Sequence, residues 1–404
     1  MTTTSSAAWT PAPELGAGVY QLTHGPESHV HHYHLFCPFS PDGSRLLALA
    51  YRPGEEIAEV RTFDLATGEG RTLGQTRSWG EHTGAHQRWH DDHGTVIFQA
   101  DRIRSHTPPD RVFRLVRDAE PDYADTITTE GSIFDSRPGC FFAVVSRPER
   151  DRDGVGLVDP QTGEVDLLCS VAEAVKMLGD PRDYDGLQLF MKMNVLHPRR
   201  PLGFFKLTNA MLDGLERGVS ELFAIDLKSR RVRHVGPMVH HPYWHPSEPW
   251  IVSFCDDDQG RRRIAIDRLG DDRIDREFTP YFNQTGHPTF DPTGRLMAVD
   301  NYDRQPGWIH LDVLDMQRGC EVTTLATMRR TVYHRSGLPR EDPPESLIDT
   351  GNFFAQNYRE LLFRVQAHPA WDRTGRYLAF NSDHTRKAQV YVADLAETTL
   401  TSFA

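Results

Sequence analysis

The chain has 404 residues, 38% of them hydrophobic and 10% aromatic, which is enough for one large repeat domain or two ordinary ones. Its formal net charge of -12 argues against nucleic acid as a partner, because phosphate binding wants a basic face, and any anionic ligand must find a local positive site. A mean hydropathy of -0.54 and the lack of any long uncharged apolar run exclude a membrane-spanning helix.

Residues 1–17 lack both a basic start and an apolar h-region, so the sequence predicts no signal peptide, a cytoplasmic location and a flexible lead-in to one domain over 18–404. Five scattered cysteines, with no CxxC pair, read as reduced thiols rather than a disulfide framework. "VYQLT" at 19–23 is placed to close the last sheet of a ring. Then a phrase recurs: an anchor residue, a large apolar side chain three positions on, a turn, and a short apolar strand. Its clearest copies are "HPYWHPSEPWIVSF" from His241, "HPTFDPTGRLMAV" from His287 and "HPAWDRTGRYLAF" from His368, with a looser one from His86. Weaker copies anchor at Phe36, Ser132 and Met193. The third position after the anchor is Phe39, Trp89, Leu196, Trp244, Phe290 and Trp371, and in the Ser132 copy the large residue, Phe134, comes two positions on.

Each copy is followed by alternating apolar residues punctuated by Gly, Asp and Pro, often ending in a phrase such as "FDLATGE" or "VDPQTGE". That pattern means short antiparallel strands. Seven such units predict an all-β fold, a seven-bladed β-propeller with four-stranded antiparallel blades around a central channel. Helical signal is confined to "SVAEAVKML" and "FAQNYRELLFRV". In a propeller the innermost strands share one axis, so His86, His241, His287 and His368, equivalent in blades 2, 5, 6 and 7, are expected to face one funnel. A histidine there either bonds a neighbouring blade's carbonyl or presents an imidazole to a ligand. Gln366, two residues before His368, projects to the same strand face, and imidazoles with an amide are a metal-site composition.

The stretches "HHPYWHPSEPWIVSFCDDD", "TGHPTFDPTGRLMAV" and "VQAHPAWDRTGRYLAFNSDHTRKAQVYVADL" resemble the oligogalacturonate lyases and related seven-bladed propeller polysaccharide lyases. The likeness implies a divalent metal, manganese above all, held by His334, Gln366 and His368. Gln366 stands where the family carries a histidine, and the family's upstream glutamine falls near Phe363. The resemblance also implies Arg262 and His287 near the reacting sugar. His241 and His287 are the expected proton-transfer pair, since a guanidinium resists deprotonation. His86, Tyr302 and Lys192 are the substrate-binding candidates.

The reaction so implied is metal-assisted β-elimination on a short, anionic, uronate-containing oligosaccharide, with no nucleic acid and no membrane as partner. Two alternatives stay open: a non-catalytic platform of the TolB or WD40 kind, and a propeller lyase or hydrolase of another specificity, such as rhamnose–glucuronate. A hydrolase needs two opposed carboxylates, and Asp256, Asp257, Asp258 and Asp300 offer no pair at the anchor positions. No G-x-S-x-G of a propeller-linked peptidase is present.

Overall fold

The computed structural model describes residues 9–52, 55–80, 83–103, 110–209, 218–282, 286–302, 305, 307–329 and 365–398. These form seven antiparallel sheets whose strands follow in chain order from the axis outward, the propeller that the repeat predicts. Blade 1 begins at Ser28–Val30, blade 2 at Arg88–Trp89, blade 3 at Ser132–Arg137 and blade 4 at Leu189–Leu196. Blades 5, 6 and 7 begin at His240–Trp244, Thr289–Phe290 and Ala370–Trp371. The ring closes as expected: Val19–Gln21 pairs with Gln389–Asp394 and supplies the outer strand of blade 7. Thr10–Pro11 adds a further short strand to that edge. Such closure leaves no first-to-last gap through which the ring could open.

The large side chain three residues after each anchor wedges between blades. Phe39, Trp89, Leu196, Trp244, Phe290 and Trp371 are all buried; in blade 3 the half-buried Phe134 is instead the bulged residue itself, because Ile133 pairs with Ala143 but Asp135 with Phe142. Where that residue is tryptophan, its indole N–H also donates to the previous blade's inner strand. Trp89 bonds Pro38 O at 2.9 Å, Trp244 bonds Val195 O at 3.1 Å and Trp371 bonds Thr289 O at 3.1 Å. Each accepting carbonyl belongs to the residue just before the preceding blade's own wedge, so the repeat carries its own inter-blade fastening. Trp244→Phe should therefore lower unfolding free energy by about 1–2 kcal/mol, through one buried bond lost and a carbonyl left bare. Urea denaturation with an unchanged m-value would register it.

The anchor positions are where inner strands bulge. In blade 5 His240 pairs with Phe254 but Tyr243 with Val252, and in blade 4 Lys192 pairs with Lys206 but Val195 with Phe204. The extra residue bends the strand toward the axis, and His241 (φ 49°) and Met193 (φ 54°) take a left-handed backbone there. His86 (φ 54°) and His368 (φ 47°) do the same, a conformation uncommon outside glycine. In blade 1 the bulge is far longer. Val30 pairs with Leu49 and Phe39 bridges Leu46, so residues 31–38 leave the sheet between those two pairings.

The one described α-helix, Val171–Leu178, is fixed by a capping box between Ser170 and Glu173, as "SVAEAVKML" predicts. The second helical phrase, 354–365, lies almost wholly outside the described residues. So do residues 104–109 and 210–217. No helix among the described residues is long and apolar enough to cross a membrane.

Candidate functional site

The bulged anchors of three consecutive blades meet. The His241 and His287 rings lie 4.1 Å apart, centroid to centroid, and His287 and His368 lie 4.3 Å apart. Residues distant in sequence thus share one point on the axis. Into this point runs the excursion of blade 1, "HHYHLF", residues 31–36. The Tyr33 ring lies 4.8 Å from His368 and 5.5 Å from His287, and the His34 ring lies 4.8 Å from His287 and 5.8 Å from His241. Tyr33 and His34 are nearly buried, as are His287 and His368. His241 and Gln366 are half-buried. They are the members of the cluster that reach toward the mouth.

Each ring is oriented by a different partner. His241 Nδ1 lies 2.6 Å from Gly286 O, a bond to the neighbouring blade's carbonyl that fixes Nδ1 as the donor and leaves Nε2 with a lone pair. His287 Nδ1 lies 2.9 Å from Asp300 Oδ2, and the His287 backbone N–H donates to Asp300 Oδ1 at 2.5 Å. Asp300 is fully buried and also accepts from Tyr302 Oη at 2.7 Å and from the His368 backbone N–H at 3.2 Å. One carboxylate therefore ties blade 6 to blade 7 and holds one tautomer of His287, whose buried Nε2 has no hydrogen-bond partner. His368 Nε2 lies 3.1 Å from Gln366 Oε1. Asp300→Asn keeps the volume but turns one acceptor into a donor facing other donors. It should cost about 1–3 kcal/mol, seen as a lower denaturation midpoint.

A positive patch adjoins the cluster on blades 4 and 5. Burial lowers the Lys192 ammonium to about 8. Burial, with Lys192 next in effect, lowers Lys206, whose Nζ donates to Val239 O at 2.9 Å. Burial and then the charges of Lys206, Arg262 and Lys192 push His240 down to about 3. Burial and then the neighbouring His287, His240 and His34 hold His241 well below the ordinary histidine range. Both imidazoles are neutral at pH 7, and His241 can accept a proton. This is the local positive site that an acidic chain needs for an anion. Arg262 is also clamped by Asp256, Nε to Oδ1 at 2.6 Å, while Arg261 and Arg263 both reach Asp257.

Of the residues singled out in the sequence, His241, His287, Gln366 and His368 come together, Tyr302 reaches them through Asp300, and Lys192 and Arg262 flank them across His240. His86 stands apart. Its ring packs 5.5 Å from His32 and 5.8 Å from Phe134, and burial lowers its pKa to about 3. His334 lies outside the described residues. Among the described residues no three His, Cys, Asp or Glu side chains gather as a metal set. The amide oxygen of Gln366 and the imidazole of His368, 3.1 Å apart, are nonetheless donors of the right chemistry for a divalent ion. Tyr33, His34, Lys206 and His240 escaped sequence reasoning. Three histidines among residues 31–34 was the visible signal for the first two.

No family profile matches the chain, and no curated protein matches it. Solved structures do. An oligogalacturonate lyase in complex with manganese superposes with a TM-score of 0.62 at 16% identity, covering 96% of this chain and 95% of that one. An oligogalacturonate lyase from Vibrio parahaemolyticus gives 0.61 at 14% identity, covering 93% of each chain. A prolyl endopeptidase gives 0.52 at 12% identity, with 92% of this chain matched to 48% of that one. At such identities the likeness is one of fold: a seven-bladed propeller matched end to end in the two lyases.

Proposed function

We propose that the protein is a lyase that cleaves short, uronate-containing oligosaccharides by β-elimination. The observation that carries this reading is the convergence of His241, His287 and His368 from three blades beside the Lys192, Lys206 and Arg262 charges. The end-to-end fold likeness to two oligogalacturonate lyases supports it.

The chemistry to be done is removal of the C5 proton beside a carboxylate and departure of the O4 substituent. A weakly acidic C–H becomes removable only if the charge that develops on the carboxylate meets a fixed positive field. Lys192, still largely protonated at neutral pH with a pKa of about 8, provides such a field in this chain, together with Arg262, whose charge Asp256 partly offsets. Gln366 and His368, with His334, would hold a divalent ion, manganese by analogy with the complexed lyase, and that ion would supply Lewis-acid neutralisation of the carboxylate.

His241 is the proton acceptor in this reading. It is neutral, half-exposed, and presents Nε2 because Nδ1 is held by Gly286 O. The His287 ring lies 4.1 Å from that of His241 and is held in place by its Nδ1 bond to Asp300. Tyr302 keeps Asp300 oriented, and substrate contact falls to Lys192.

Rhamnose–glucuronate linkages would suit the same chemistry. A hydrolase is disfavoured, since Asp300 is wholly buried and committed to four donors. The test is a screen of galacturonate and glucuronate oligomers with manganese-supplemented protein, followed by absorbance of the unsaturated product, with His368→Ala as control. Product from the native chain and little from the variant is expected. No product from any oligomer with folded, metal-loaded protein would refute the reading.

A further inference from the structure

The far end of the channel holds a second cavity, of about 430 Å³. The inner strands pass from the imidazole cluster toward their turns, and the cavity is lined by residues beyond the anchors, including Trp89, Leu196, Trp244 and Arg373. Leu35 and Phe36 form part of its wall. The blade 1 excursion thus has the histidine cluster on one side, through Tyr33 and His34, and this cavity on the other.

Arg88 lines the cavity with its side chain only 1% exposed. Its Nη1 donates to His86 O at 2.8 Å, and its Cζ stands 5.5 Å from the Phe36 ring. Nε and Nη2 have no hydrogen-bond partner. Asp135 is near, but Nε to Oδ1 is 3.9 Å, beyond hydrogen-bond reach. Asp135 already accepts from the backbone N–H groups of Leu196 at 2.8 Å and Ser136 at 2.7 Å. Burial lowers the guanidinium only to about 10, so it is charged at neutral pH. A buried cation with idle donors is costly unless something accepts from it.

Nε and Nη2 lie on one edge of the guanidinium, the fork whose two parallel N–H groups match a carboxylate. The lining is mixed: Leu35, Trp89, Val195, Leu196 and Trp244 are apolar, while Asp91, Asp92 and Asp135 carry carboxylates and Arg137 and Arg373 further positive charge. We propose that this second mouth binds a small carboxylate with a compact apolar body, clamped bidentately by the Nε–Nη2 edge of Arg88. None of these residues belongs to the histidine cluster, so the site stands or falls apart from the lyase reading.

Trp89 and Trp244 make the test optical. Sodium propionate and sodium isobutyrate, titrated at constant ionic strength against sodium chloride, should give a saturable change in tryptophan fluorescence that chloride does not give. Arg88→Lys keeps the charge but loses the fork and should weaken binding about tenfold or more. Because an Arg88 variant alone leaves Asp135 unbalanced, Arg88→Gln with Asp135→Asn removes both charges. That protein should lose the response while near-ultraviolet circular dichroism shows it folded, with a somewhat lower midpoint because Asp135→Asn gives up one of the two backbone bonds that the carboxylate accepts. No saturable change with either acid, an equal response to chloride, or undiminished affinity in both Arg88 variants would overturn the proposal. So would a crystal grown with propionate in which water alone joins Arg88 to Asp135.

Discussion

Lowering the pH from 7 to 5 should remove on the order of 8 kcal/mol of folding stability through four histidines alone. Burial holds His29, His31 and His197 at about 4 and His86 at about 3, whereas an unfolded histidine titrates near 6.5. The unfolded chain therefore binds more protons as pH drops below about 6.5, and each such histidine then costs about 1.4 kcal/mol per pH unit. The stability is fully present above that value and goes on falling until the folded pKa values are reached. Asp153 and Asp383 oppose the trend, since burial raises both to about 7 and each stabilises the fold by about 2 kcal/mol over the same interval. His32 and His241, which burial lowers still further, roughly offset them, because below the unfolded value each histidine costs the same about 1.4 kcal/mol per pH unit. Because domains hold only about 5–15 kcal/mol, loss of near-ultraviolet circular dichroism is expected close to pH 5. Equal urea midpoints at pH 7 and pH 5 would contradict the burial of these imidazoles.

The second large effect is on turnover. His241→Asn should lower kcat by about 10²–10⁴-fold, the usual contribution of a positioned general base, while the fold persists. Asparagine is the right replacement because residue 241 has φ 49°, a left-handed backbone that asparagine tolerates better than alanine does. The variant retains a polar side chain at the mouth and loses only the titratable ring. Stopped-flow or steady-state assay of unsaturated product, beside an unchanged thermal midpoint, separates the two roles. A variant as active as the native chain would move the proton acceptor elsewhere.

The repeat was legible because it is physical. Each wedge residue must fill the gap between two blades, so Trp89, Trp244, Phe290 and Trp371 recur at one offset, and strand 19–23 could be placed by the need to close the ring. The meeting of His241, His287 and His368 follows from that offset alone. What the sequence concealed departs from the repeat. Residues 31–38 replace a bulge with an excursion to the axis, and no periodicity reports where an excursion turns. Lys206 sits between Phe205 and Leu207 in a strand with ordinary alternation, and its approach to His240 depends on the neighbouring blade. Asp300 reads as an acid near a strand end, and only the crossing of blades 6 and 7 makes it the shared acceptor of His287, Tyr302 and His368. Arg262 stands in a run of three arginines, and the pairing of Arg261, Arg262 and Arg263 with Asp256 and Asp257 is a turn geometry that spacing does not disclose.

The most direct measurement is the mass of the fragments released from a uronate oligomer by the manganese-supplemented protein. Elimination adds no water, so the account predicts two fragments whose masses sum to that of the parent, one bearing the unsaturated ring. Fragments that together exceed the parent by one water, or an oligomer left intact by folded protein, would contradict it.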